Sequence, residues 1–354
     1  MRGRSGRSSA CLVGPLAVPL AVALALVLTA PAHATQAAPA ADDEAAAVDL
    51  LTRAMRVAKT TAYRGVQKVQ AWTGGRECTQ TLEVSNLPGR GTYVRAEDGG
   101  SLANAEPDGS TTRPRLRLLT DNYTVLRAGV AKVAGRWAHI VDAKAATHVQ
   151  ARYWLDRATG LMLRREVFDG DGRLARRSWF SSVSFDAAPA VQRHNAGAPP
   201  TPSSAGAGGH QVIPLRKAGE LREGGWTVPG SLPHGYRLYD LRTTGAGEGK
   251  ALHLSYSNGI SVVSVFEQRG HLDESGMSGW HHAEVGGRTV YVRGTVPRQL
   301  MWVGPGTVFT VVADAPDEAV DDTVRALPGA QQQPGLWSRF VRGLSRIVSW
   351  CNPF

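Results

Sequence analysis

The sequence predicts an α+β protein of two domains: first an antiparallel sheet covered by a helix, then a smaller α+β unit. Three observations support this prediction. Short strand-like segments follow one another with turn residues between them, which is typical of an antiparallel meander. A segment with helical periodicity precedes the first of these strands. A stretch rich in Pro, Gly and Ser divides the strands into two groups.

The N-terminus has the order of regions that defines a secretory signal peptide. Three arginines precede an uncharged apolar run from Leu12 to Leu28, and Ala32-His33-Ala34 follows with small residues at the positions that a signal peptidase reads. We therefore expect a signal peptide over residues 1–34 and an extracytoplasmic mature chain. A retained membrane anchor is the alternative, which the prolines of the apolar run disfavour. Both interpretations place the rest of the chain outside the cytoplasm.

The first domain is predicted over residues 44–186, after a flexible segment at 35–43. In residues 44–59 apolar residues recur at helical spacing, so they would share one face of a helix. Asp169-Gly170-Asp171-Gly172 supplies residues that tolerate positive φ, so the strands on either side are predicted to form a hairpin. The predicted strands are Ala62–Trp72, Thr79–Val84, Gly91–Ala96, Arg115–Leu119, Tyr123–Ala128, Tyr153–Asp156, Leu161–Phe168 and Leu174–Phe185.

A linker is predicted over residues 187–221, because its Pro-, Ser- and Gly-rich sequence offers too few apolar residues to bury. The second domain is predicted over residues 222–328 and ends in a short helix that Pro316 opens. The predicted strands of this domain are Tyr236–Arg242, Ala251–Tyr256, Ile260–Gln268, Arg288–Arg293, Gln299–Val303 and Thr307–Ala313.

The sequence near the C-terminus predicts a basic amphipathic helix over residues 336–351, with apolar residues on one face and arginines on the other. We expect it to hold the mature protein on an anionic membrane surface, in the plane of the interface. Packing on one of the domains is the alternative. The residues expected at the membrane surface are Trp337, Arg339, Phe340, Arg342 and Arg346.

Composition and motifs argue against catalysis and against a metal or cofactor. The Gly-x-Ser-x-Gly motif of serine hydrolases does not occur, and adjacent His281 and His282 on a strand would face opposite ways, away from a common ion. The formal charge of +10 includes three leader arginines, which leaves +7 on the mature chain. That excess suits an acidic protein surface or lipid headgroups rather than nucleic acid, given the extracytoplasmic location. A bridge between Cys78 and Cys351 is left open.

Aromatic residues are frequent on the predicted strands of the first domain. One interpretation is an ordinary sheet core. The other is a cavity in a curved sheet, of a size for an acyl chain or an apolar peptide. The residues expected to line such a cavity are Tyr63, Trp72, Tyr123, Trp137, Trp154 and Phe168.

Several segments resemble the MucB/RseB family of sigma-factor regulatory proteins. The stretch from Tyr153 to Glu166 (YWLDRATGLMLRRE) is similar to the W-[LV]-D-x-x-[ST]-G-L-x-L-R stretch of that family. The stretch from Trp226 to Tyr236 (WTVPGSLPHGY) resembles the opening of the family's second domain. Residues 256–266 resemble its Y-S-D-G-[LI]-x-x-[VL]-S-V-F core, with Asn258 where Asp is commoner. The resemblance runs collinearly over residues 44–328, and the Ala-, Gly- and Arg-rich composition suggests an actinobacterial-type member.

The resemblance implies a first domain like the lipoprotein carriers, with a curved antiparallel half-barrel around helices. It also implies a non-enzymatic regulator of an envelope-stress sigma-factor pathway, which binds the extracytoplasmic segment of a membrane anti-sigma factor and responds to a lipid. We expect that segment to add to the strand Ile260–Gln268. The alternative is that this strand is central and fully buried. The residues expected to contact the segment are Tyr256, Val263, Val265 and Phe266. An extracytoplasmic lipid or lipoprotein carrier is the alternative function.

Overall fold

A computed structural model describes residues 39–88, 91–96, 101–105, 112–185, 211–244, 250–272, 277–294 and 297–329. The first element is helix α1, Pro39–Thr60. Its apolar face buries Ala47, Leu51 and Ala54, and Lys59 lies in its last turn, where a cation is favoured. The helix begins before the predicted Glu44, so residues 39–43 are helical rather than flexible.

The first sheet has nine antiparallel strands in the order β4-β3-β2-β1-β9-β8-β7-β6-β5. Helix α2, Thr112–Asn122, lies in the chain between β4 and β5. The strands are β1 Tyr63–Thr73, β2 Arg76–Leu87, β3 Gly91–Ala96, β4 Ser101–Ala105, β5 Thr124–Val133, β6 Arg136–Ala145, β7 His148–Asp156, β8 Met162–Phe168 and β9 Leu174–Ser184.

The first sheet is open and curves around α1. Its two end strands, β4 and β5, are not paired with each other. Helix α1 packs against β5 and β7 and also against β2, although these strands lie far apart in the sheet order. The sheet must bend to bring all of them to one helix. This architecture confirms the predicted half-barrel with covering helices.

The second sheet is also antiparallel, in the order β10-β12-β13-β14-β18-β17-β16-β15, with β11 paired to β12. A 3₁₀ turn at Leu215–Lys217 leads into helix α3, Ala218–Glu223, and helix α4, Asp317–Ala326, follows the last strand. The strands are β10 Gln211–Val212, β11 Ser231–Leu232, β12 Tyr236–Thr244, β13 Ala251–Ser257, β14 Val262–Arg269, β15 His281–Val285, β16 Arg288–Arg293, β17 Arg298–Gly304 and β18 Thr307–Asp314.

The core of the second sheet forms beneath α4. Apolar side chains from β12, β13, β14, β17 and β18 pack together with one face of the helix. Val320 and Val324 are the helix residues that lie fully inside this core. Asp317 and Glu318 in the first turn of α4 suit the positive end of its dipole, and the helix begins after Pro316 as predicted.

Other sequence predictions also fail locally. Arg115–Leu119, predicted as a strand, lies within helix α2. Strand β6 was not predicted, although it pairs along its length with β5 and β7. Residues 211–223, assigned to the linker, contain β10 and α3 and so are already part of the second sheet's structure.

Among the described residues, Cys78 lies on β2 as a free, half-buried cysteine. Cys351, its possible partner in a disulfide, is outside the described part of the chain. No helix within the described ranges is both long and apolar enough to cross a membrane.

Candidate binding site

The turn between β13 and β14 inserts from the second sheet into the core of the first. Ile260 in this turn is only 3% exposed. It belongs to an apolar cluster that also contains Leu51 of α1, Leu119 of α2 and Tyr153 of β7. The inner face of the first sheet is therefore filled in part by a residue from the second.

The backbone of this turn touches helix α2 directly. Gly259 has φ +97°, and a Cβ at this position would lie 2.8 Å from the carbonyl carbon of Leu118 and nearer still to the Cα of Leu119. The side-chain Nδ2 of Asn122 donates to the carbonyl oxygen of Asn258 over 3.0 Å. Only glycine allows so close an approach at this φ, so residue 259 fixes how the turn docks.

Within the turn, the Asn258 side chain organises the backbone. Its Oδ1 accepts hydrogen bonds from the backbone N–H of Ile260, at 3.0 Å, and of Ser261, at 2.9 Å. The Ser257 hydroxyl accepts one from Gly259 N–H, at 2.9 Å. These local bonds hold the turn in shape, so Ile260 projects from a preformed loop.

A buried cluster of charges stands beside the turn. Arg165 of β8 donates from Nη1 to Asp314 Oδ2 over 2.9 Å, and from Nη2 to the carbonyl oxygen of Ile260 over 2.6 Å. Arg176 of β9 is ion-paired with the other oxygen of Asp314. All three charged side chains are less than a tenth exposed. Two arginines of the first sheet therefore share one carboxylate of the second.

The charges around Asp314 determine its protonation. Burial by itself raises the pKa of this carboxyl. The nearby charges of Arg176 and Arg165, with a further contribution from Arg115, outweigh burial and lower the pKa to about 2. Asp314 is therefore ionised at neutral pH, and the cluster carries a net positive charge.

Two further hydrogen bonds join the sheets at helix α4. Asp317 accepts from the backbone N–H of Gly74, in the β1–β2 turn, over 2.8 Å. Glu318 accepts from the N–H of Gly170, in the β8–β9 turn, over 2.9 Å. The same acidic first turn that suits the helix dipole thus also contacts two hairpin turns of the first sheet.

The outer face of the first sheet, opposite α1, carries a row of paired charges across neighbouring strands. Arg152 bonds Asp142 through two hydrogen bonds, at 2.6 and 2.8 Å. Arg177 bonds Glu166 at 2.8 Å, and its Nη1 lies 3.5 Å from the side-chain oxygen of Gln70. These residues are direct cross-strand partners in the registers of β6, β7, β8, β9 and β1. We call these charged residues the outer charge row. Because its charges are mutually paired, the outer charge row adds little net charge to the surface.

The predicted cavity residues occupy different parts of the first domain. Tyr63 and Trp154 belong to one apolar cluster, whereas Tyr123 packs against the cluster that contains Ile260. Trp137 is 51% exposed, with Lys132 Nζ 4.9 Å from its ring centroid. Trp72 and Phe168 are half-buried. A single cavity lined by all six residues stays a prediction, and Tyr123 is the one that adjoins the inserted turn.

The predicted partner-binding strand is central rather than at an edge. Strand β14 pairs with β13 on one side and with β18 on the other. Tyr256, Val263, Val265 and Phe266 are at most 3% exposed. The expected addition of a peptide to this strand is therefore wrong, because neither of its edges is free to accept hydrogen bonds.

The remaining predicted segments, the signal peptide over 1–34 and the basic helix with Trp337, Arg339, Phe340, Arg342 and Arg346, lie outside the described residues. Sequence reasoning did not single out Ile260, Arg165, Arg176 or Asp314. The Asn258-Gly259 pair is a local sign of a tight turn that could have drawn attention to this loop. No local sequence pattern indicates that this turn packs into the core of the first sheet.

The fold and this junction define a class of protein: an open, curved antiparallel half-barrel docked against a second antiparallel sheet. Residues 100–199 match the family model of the MucB/RseB N-terminal domain. This match confirms the resemblance that the sequence motifs indicated. No curated relative matches the sequence.

Solved structures of MucB align with most of the chain. The Pseudomonas aeruginosa MucA/MucB complex aligns at 19% identity and TM-score 0.41, over 81% of this chain and 100% of that one. MucB in complex with MucA(peri) aligns at 19% identity and TM-score 0.39, over 80% and 100%. A putative outer membrane lipoprotein-sorting protein domain from Vibrio parahaemolyticus aligns at 10% identity and TM-score 0.21, over 41% and 94%.

Proposed function

We propose that the protein is an exported, non-enzymatic regulator of an envelope-stress sigma-factor pathway. It binds the extracytoplasmic segment of a membrane anti-sigma factor and responds to a lipid. The observation that carries the proposal is the match of residues 100–199 to the MucB/RseB N-terminal domain. The collinear motifs of the second domain, from Trp226 to Phe266, support it.

The junction between the sheets supports a regulatory rather than a purely structural role. A second sheet whose turn enters the core of the first couples any change in that core to the position of the second sheet. Such coupling is what a regulator requires, because a signal must alter the affinity for a partner at another surface. The test must therefore use the complete mature chain, since the second domain alone would expose Ile260.

Calorimetry of the mature chain, residues 35–354, against purified extracytoplasmic segments of the anti-sigma factors from the same genome tests partner binding. We expect one segment to bind with a stoichiometry of one. A scrambled peptide of the same composition and net charge is the control, since the basic chain would attract any acidic peptide. Equal heats for the scrambled and the native segment would refute the proposal.

An extracytoplasmic lipid or lipoprotein carrier is the second candidate, supported by the apolar clusters on the inner face of the half-barrel. A carrier releases its cargo to an acceptor, whereas a regulator changes its partner affinity when the ligand binds. Transfer of a fluorescent acyl chain between donor and acceptor vesicles, without any effect on anti-sigma binding, would favour the carrier.

We further propose that residues 336–351 hold the mature protein on the outer surface of the cytoplasmic membrane. Each arginine near an anionic surface contributes about 1 kcal/mol, and the apolar face adds to this. Sedimentation with phosphatidylglycerol vesicles, with and without residues 334–354, tests the proposal. Loss of binding on truncation and at high salt is expected, and equal sedimentation of both forms would contradict it.

A further inference from the structure

We propose that the β13–β14 turn is a resident plug in a binding site for an anionic acyl chain, and that such a ligand binds by displacing the turn. The inference rests on the proposed lipid-responsive role and specifies its site, its ligand class and its consequence. Displacement of the turn would separate the second sheet from the first.

The apolar part of the site is the cluster around Ile260. In the described residues, Ile260 is the buried member of this cluster that comes from the second sheet. The other buried members come from α1, α2 and strands β5 to β8. Withdrawal of the turn would therefore leave an apolar space lined by these residues of the first domain. A space lined in this way accepts methylene chains rather than polar ligands.

The polar end of the site is the pair of arginines beside the turn. When the turn is docked, Asp314 supplies the carboxylate that Arg165 and Arg176 share. When the turn withdraws, those two guanidinium groups lose that carboxylate while they remain part of the first sheet. Guanidinium groups bind carboxylates and phosphates with good geometry, so these two arginines would offer an anion-binding site. In a ligand that ends in a carboxylate or a phosphate, the hydrocarbon chain would take the place of Ile260. The anionic head would take the place of the Asp314 carboxylate.

Polar contacts contribute to holding the plug. In the part of the chain that the structure describes, docking also uses hydrogen bonds of Asn122 and Tyr123 with Asn258, the charge cluster, two hydrogen bonds at helix α4, and packing of α2 against β12. Several of these contacts are polar, so a ligand that replaces the principal ones can compete with them. Because the ligand binds only the undocked form, any change that weakens docking must tighten ligand binding by the same factor, until the undocked form predominates.

The test is displacement of cis-parinaric acid by oleate from the complete mature chain and three variants. Asp314→Asn removes the shared charge at nearly constant volume, and Ile260→Ala removes the apolar contact. Val290→Ala, in the second sheet's own core, is the matched control because it truncates a buried residue of a different cluster. We expect at least about tenfold tighter oleate binding for the first two variants and no change for the control.

Further ligands distinguish the chemistry and its source. Methyl oleate should bind at least about tenfold more weakly than oleate, because it lacks the anionic head. Phosphatidylglycerol vesicles test whether a phospholipid serves in place of a free acid. Small-angle scattering should show an increase in the radius of gyration with oleate for the wild type, and already without ligand for Asp314→Asn. A thermal unfolding scan establishes that each variant folds.

If Asp314→Asn does not fold, Asn122→Ala takes its place. It removes a single hydrogen bond at the edge of the junction, and about threefold to tenfold tighter binding is expected. Three results would overturn the inference: tightening in Ile260→Ala alone, which would indicate a simple cavity, equal binding of oleate and its methyl ester, or no binding by any variant. None of these results would alter the calorimetric test of anti-sigma binding, so the two proposals fail separately.

Discussion

Substitution of Gly259 by alanine should undo the docking of the two sheets. At φ +97° an alanine costs about 1–2 kcal/mol in backbone strain. Its Cβ would overlap the backbone of Leu118 and Leu119. The backbone of a helix cannot move aside as a flexible side chain can, and overpacking of this kind costs about 1–3 kcal/mol. Alanine would also move Ile260 partly out of its apolar cluster, which adds to the loss of stability. The strain and the overlap together should lower the free energy of unfolding by about 2–5 kcal/mol.

Urea denaturation with a matched glycine variant separates strain from overlap. Gly270 follows β14 in the same sheet and has φ +126°, but a Cβ there would meet no atom within 4 Å. Gly270→Ala therefore carries the backbone strain alone, about 1–2 kcal/mol. If the two substitutions cost the same, Gly259 does not press on α2, and the idea of a tightly docked turn is wrong.

Burial and charge give three further predictions. Asp314 has a lowered folded-state pKa, so its contribution of about 2 kcal/mol should be complete above about pH 4 and should be lost as the pH falls towards 2. The free energy of unfolding should fall less steeply over that range in Asp314→Asn than in the wild type, because other carboxyls of lowered pKa, such as Asp156, still contribute in the variant. Leu51→Ala should cost about 2–5 kcal/mol, because the side chain is buried beneath α1, whereas Leu215→Ala, at an exposed position, should change urea stability by less than about 0.5 kcal/mol. Glu166→Gln should destabilise the first sheet by about 1–3 kcal/mol, since it leaves Arg177 without its ion pair. In a double-mutant cycle, adding Arg177→Gln to Glu166→Gln should restore part of the lost free energy of unfolding.

The features that the sequence predicted well depend on local chemistry. In the β8–β9 hairpin, Asp169 accepts backbone hydrogen bonds from Asp171 and Arg173, and Gly172 has φ +78°. Both properties belong to the residues of the turn themselves. The helix after Pro316 was predicted for the same kind of reason.

The features that were missed depend on distant contacts. Residues 115–118 alternate Arg and Leu, a period-2 pattern typical of a strand, yet they are helical because Leu118 and Leu119 both face the protein interior. The central position of β14 depends on pairing with β18, whose residues are distant in the chain, as Val262 is from Asp314. The insertion of Ile260 into the other sheet's core is likewise invisible to a local pattern.

The outer charge row also restricts which strand pairings can form. In the observed alignment Glu166 stands between Arg152 and Arg177. If β8 slipped by one residue, Arg165 would take the place of Glu166 on this face, and three guanidinium groups would face one another across adjacent strands. Like charges directly opposite are unfavourable, so a wrongly aligned chain is penalised before its core has closed. The row therefore helps the chain to choose among competing alignments while it folds, whatever it adds to the stability of the finished sheet.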